Sequence, residues 1–107
     1  MICTTTESIP GKEISKVLGV VTGNIVQSKH IGRDIMAGLK TIVGGEIGGY
    51  TEMLSEARNE AIKRMLVDAG RKGADGVVNI RFTTSAIMDG SSEIMAYGTA
   101  VKFKAHT

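Results

Sequence analysis

The chain has 107 residues, 13 Lys and Arg against 11 Asp and Glu, two Phe, two Tyr and no Trp. That length holds one domain, 1–107, with one core. A net charge of +2 and four aromatic residues exclude the basic, base-stacking surface of a nucleic-acid binder. The single cysteine, Cys3, excludes a disulfide framework and fits a reducing compartment.

Ile2 to Thr5 reads as a short strand. Thr6 to Lys12 reads as a turn, because Pro10 fixes φ and Gly11 follows it. The first residues lack the basic and apolar regions of a secretion signal. No apolar run reaches the roughly 20 residues that span a bilayer; the longest, Val17 to Val26, is broken by Gly19, Thr22, Gly23 and Asn24. The expected location is therefore the cytoplasm, with no membrane partner.

Glu13 to Ser28 reads as a long strand rich in β-branched residues. Gly19 and Gly23 within it mark a bulge or the close approach of another backbone. His30 to Val43 reads as a short helix, with Ile31, Ile35, Leu39 and Ile42 on one face and weakened by Gly32 and Gly38. Gly44-Gly45 closes it, and Gly44 to Gly49 reads as a tight helix–helix turn.

Thr51 to Lys72 carries the strongest helical pattern. Leu54, Ala57, Ala61, Met65 and Ala69 form a stripe that Ile62 and Leu66 widen. Glu60 and Arg64 form an i,i+4 pair, and Gly73 is placed to end the helix in the left-handed conformation. Asp75-Gly76 is a turn. Val77 to Ile87 alternates, with Val78, Ile80 and Phe82 on one face and Asn79, Arg81 and Thr83 on the other. Met88 to Ser92 reads as a hairpin loop. In Glu93 to Lys104, Met95, Tyr97, Val101 and Phe103 fill one face, and Ile94, Ala96, Gly98 and Ala100 make a small apolar second face. A strand apolar on both faces needs both covered, which points to a partner subunit. The order β-β-α-α-β-β implies an α+β fold: a two-layer α/β sandwich with a mostly antiparallel sheet and two helices.

Taken together, Thr4-Thr5-Thr6, Ile9-Pro10-Gly11, Val17 to Gly23, Ile31-Gly32-Arg33-Asp34, Val43 to Glu46, Tyr50-Thr51, Gly73 to Val78 and Ala96 to Val101 resemble the YbjQ-like family of small bacterial proteins. The likeness runs from about Ile2 to Phe103 and leaves 104–107 as a tail. It implies a dodecin-like subunit, assembled as a ring-shaped homo-oligomer, a pentamer. It brings a heavy-metal-binding label but no established activity and no ligand set. Cys3 departs from the aliphatic residue the resemblance leads one to expect there.

Candidate sites are few. Cys3, His30 and His106 are far apart in sequence and in no zinc-ligand spacing. Only a ring that repeats Cys3 or His30 around an axis would gather several such ligands; otherwise Cys3 is a small apolar strand residue. The glycine run before the long helix could hold an anion at free N–H groups, but it has no P-loop Lys and Glu46 would repel phosphate. His30, Arg33, Asp34, Glu46 and Tyr50 bring a base, a cation, carboxylates and a phenol into one segment. They are the candidate ligand-binding or acid–base set, although no nucleophile–base–orienter set accompanies them. The methionines read as core filling. The reading favoured is a non-enzymatic oligomeric binding or scaffold protein with its small ligand between subunits. The alternatives are a metal-binding module with shared ligands and an enzyme with an inter-subunit site.

Overall fold

A computed structural model describes residues 1–28, 42–43, 46–88 and 91–105, of which 28, 42–43 and 46–50 are described through the backbone alone. The elements are β1 (Ile2–Cys3), β2 (Ile14–Ser28), β3 (Ile42–Val43), β4 (Glu46–Ile47), α1 (Gly48–Arg71), β5 (Gly76–Met88) and β6 (Ser91–Phe103). The main sheet runs β1-β5-β6-β2. It is mixed, because β1 lies parallel to β5 while the other pairs are antiparallel. The helix lies across β2 and β6.

The turn before β2 follows its sequence closely. The Lys12 amide donates to the Ile9 carbonyl at 3.1 Å, and Gly11 has φ +80°. Proline at the second position and a positive-φ glycine at the third make a type II turn.

The helix buries the expected stripe except at Leu54, which is 37% exposed. Ala57, Ala61, Met65 and Ala69 are all at most 2% exposed, and they pack with Val21, Val77, Ile80, Ile94, Ala96 and Ala100. Small residues dominate because the two layers touch at Gly23. A Cβ there would meet the Ala61 carbonyl oxygen and the Met65 amide nitrogen, with the Arg64 carbonyl carbon 2.9 Å away. Of the two glycines singled out in this strand, Gly23 is the close approach and Gly19 the bulge. Val17 pairs with Val101 and Gly19 with Ala100, so Leu18 is the extra residue, and Gly19 takes φ +118°. Gly73, at φ +74°, ends the helix. The Ala74 amide donates to the Ala69 carbonyl and the Gly73 amide to the Gly70 carbonyl, which is the Schellman pattern.

β2 is a sheet edge, and the helix blunts it. The Thr22 amide donates to the Asp68 carboxylate at 3.2 Å, and Arg64 Nη1 donates to the Asn24 carbonyl at 2.8 Å. Edge groups satisfied by side chains are closed to a foreign strand.

Four expectations are corrected. The expected helix over His30 to Val43 falls outside the described residues except at its end, where Ile42–Val43 is a strand pairing with Glu46–Ile47. Ile42, Val43 and Ile47 are β-branched, which favours a strand, so the run expected as a tight helix–helix turn holds a strand at Glu46–Ile47. The described part thus has one helix, and α1 begins at Gly48 rather than Thr51; helix ends admit glycine more readily than helix interiors do.

The faces of β5 and β6 differ as well. The register shifts between Val78 and Arg81, and Asn79 has φ 55°, a conformation that asparagine tolerates better than most residues. This bulge puts Val78 out of phase with Ile80 and Phe82. Val77 and Ile80 instead fill the space left by Gly98, whose missing Cβ would lie 2.7 Å and 3.2 Å from their side chains. In β6 the small face, Ile94, Ala96, Gly98 and Ala100, is the one that α1 covers. It needs no partner subunit. Ser91 and Ser92, expected in the hairpin loop, open β6, paired with Met88 and Ala86.

Gly23→Ala should lower stability by about 1–3 kcal/mol, as overpacking does, seen as a melting temperature lower by roughly 5–15 °C. An unchanged melt would show that the backbones do not touch there. Asp68→Ala should lower stability by about 0.5–1 kcal/mol, the net worth of one exposed hydrogen bond, with Asp68→Asn recovering part of it. Urea titration of the three chains checks this.

Candidate functional site

Most of the expected polar set lies beyond what the structure describes. His30, Arg33 and Asp34 fall outside the described residues. Glu46 is placed in β4 and Tyr50 in the first turn of α1 by backbone alone. Their convergence is therefore not a property of the described molecule.

Cys3 is described. It sits on β1 opposite Val77 and is an exposed free thiol, not a buried apolar residue. A two-residue edge strand has neither the length nor the cover to bury it. His106 lies outside the described residues. Among the described residues no group of three or more His, Cys, Asp and Glu side chains could hold a metal ion. Zinc asks for four ligands in a structural site and three in a catalytic one. The described residues of a single chain do not fit a bound metal.

The methionines divide. Met65 is fully buried in the core, while Met1 and Met88 are 55% and 67% exposed. Core filling therefore accounts for only some of them.

One concave feature among the described residues was not anticipated. A groove of about 320 Å³ runs between Ile25–Gln27 of β2 and the Met53–Glu60 stretch of α1. Its apolar walls are Ile25, Met53 and Ala57, and its charged groups are Glu56 and Glu60. Gln27 Nε2 donates to the Met53 carbonyl at 3.4 Å, tying the two sides together. Arg64 Nε pairs with Glu60 at 3.2 Å and holds that carboxylate at the rim. Glu56 makes no ion pair among the described residues. One turn apart on one helix face, the two carboxylates suit a cation with an apolar stem. Apolar walls with carboxylates at the rim are what the binding of a cationic group asks for. The groove's residues come from two segments about 30 positions apart, and only the crossing of α1 over β2 joins them.

The outer face of the sheet is also partly apolar. Val20 and Val26 are 69% and 55% exposed. On the neighbouring strand Tyr97 is 37% exposed, at the position that pairs with Thr22 and Arg81. No helix among the described residues is long and apolar enough to cross a membrane.

Comparison with known proteins places the chain. A solved structure of a protein of unknown function from Pediococcus pentosaceus, of the DUF74 family, shares the fold at a TM-score of 0.66 and 17% identity, covering 97% of this chain and 98% of that one. A UPF0145 protein of Psychromonas ingrahamii is 76% identical over 104 residues, covering 97% of this chain and 99% of that one. The UPF0145 protein of Thermotoga maritima is 59% identical over 104 residues, covering 97% and 98%. A family model described as "Putative heavy-metal-binding" matches residues 1–104. The chain belongs to the YbjQ family, whose curated members here are named UPF0145 proteins.

Proposed function

We propose that the chain is a subunit of a cytoplasmic homo-oligomeric binding or scaffold protein, closed into a ring, with a small ligand held between subunits. The observation that carries this reading is shape. The radius of gyration is 17.1 Å and the extents are 58 × 29 × 16 Å. A compact monomer of this length has a radius of about 13 Å. Among the described residues, two layers 16 Å thick and 58 Å long leave Val20, Val26 and Tyr97 of the sheet exposed. Exposed apolar surface of this kind marks an interaction site. Ligand pockets form readily where such surfaces meet. Ring closure and five-fold symmetry come from the family resemblance, as does the dodecin-like subunit.

A second reading, a metal shared between subunits, is favoured by one observation: the Cys3 thiol is exposed. Rotational symmetry would repeat it around an axis, and thiolates are soft-metal ligands.

Native mass spectrometry of untagged protein should show a closed oligomer at micromolar concentration. A mass of one chain would end the proposal. If the metal reading holds, added zinc or copper should raise the oligomer's mass, and Cys3→Ser should abolish the gain. A gain unaffected by Cys3→Ser would remove Cys3 from it.

A further inference from the structure

Charge is polarised along the molecule. At the C-terminal end of α1, Lys16 and Lys102 sit directly opposite on neighbouring strands. Lys102 runs over the helix end, its Cε 4.0 Å from where a Cβ on Gly73 would be, and Arg71 and Lys72 precede that glycine. Lys104 is neutralised by Glu13 at 3.2 Å. Neither Lys16 nor Lys102 has an ion pair among the described residues, and both are exposed. Like charges placed directly opposite on a sheet repel. The partial negative charge of the helix terminus, about half an electron, and the Asp75 carboxylate, which accepts from the Phe103 amide at 3.0 Å, leave this end of four cations net positive.

The groove offers the complement. It has apolar walls and carries Glu56 beside Glu60, the latter already held in an ion pair with Arg64. A lysine can lay its methylene stem along apolar walls while its ammonium meets a carboxylate. We propose that the basic end of one copy docks on this groove of a second copy, with Lys16 entering it beside Glu56 and Lys102 strengthening the local field. This rests on the homo-oligomeric reading above and names its contact. The two surfaces are different patches of one chain, so the contact is heterologous. Such contacts repeat from copy to copy until a ring closes or a filament grows. The groove is completed by the second copy, which supplies its cation.

Charge exchange tests this. Glu56→Lys and Lys16→Glu should each weaken association roughly 100-fold by opposing like charges across the contact. The chain carrying both substitutions should regain association. All of these positions are exposed, so circular dichroism should show native folds throughout. Sedimentation velocity across a concentration series, at low and high sodium chloride, reads the assembly. The wild type should dissociate more readily at high salt. An oligomer unchanged in both single variants would overturn the docking while leaving the oligomeric reading intact, and so would dissociation that the double variant does not reverse. A wild type that is monomeric throughout would overturn both.

Discussion

The architecture depends on one contact, that of the α1 backbone with the β2 backbone at Gly23. No side chain stands between Ala61, Met65 and the strand at that point. The layers are therefore pulled closer than large side chains would allow, and much of the shared core is small: Ala57, Ala69, Ala96, Ala100 and Gly98, with Val21, Val77, Ile80 and Ile94 filling the remainder. Met65 is the large exception among the helix's buried residues, and a flexible thioether fills an irregular gap well. The core is thin, so the domain cannot be stabilised by bulk. It relies on the closeness of many small contacts, where one added methyl is felt.

The same closeness arranges the polar groups. Only a helix lying hard against β2 can reach the strand's outward edge with Asp68 and Arg64, and only there does α1 form one wall of a groove with Ile25 and Gln27. The feature that fixes the fold thus also creates the concave surface and closes the adjoining stretch of edge. Arg64 serves twice, holding the Asn24 carbonyl and positioning Glu60 at the groove rim. Binding surface and edge protection are built from one helix face.

Elements with strong local signals were legible in the sequence. The α1 stripe has period 3.6 and reads directly. The Pro10-Gly11 turn and the Gly73 terminus each follow from a residue that tolerates its backbone angle, and Gly19 and Gly23 stood out as glycines inside a strand. The β5 faces were misread because strict alternation presumes an unbroken ladder, and nothing about Asn79 alone announces a bulge. The small face of β6 was assigned to a partner because its residues look too slight to meet a helix, whereas Gly23 brings the helix to them. The end of the expected helix at Ile42–Val43 was decided by β-branching over a weak helical period. The groove was invisible because it joins distant segments. The polar set from His30 to Tyr50 was chosen for nearness in sequence, which says little about nearness in space.

The two bulges lie at neighbouring levels of the sheet, on either side of β6. Leu18 in β2 faces the Ala100–Val101 stretch of β6, and the Asn79–Ile80 pair in β5 faces Gly98. Extra residues on both sides of one strand increase its local twist. Across the β5 bulge the inside and outside of that strand exchange roles: Val78 is buried apart from the helix-facing cluster, while Val77 and Ile80 belong to it. The chain therefore carries two hydrophobic phases joined at a seam. A one-residue deletion at Asn79 would not merely shorten a strand. It would bring the two phases into step and turn one set of buried side chains toward water, so length at this seam is as strongly specified as residue identity is in the core.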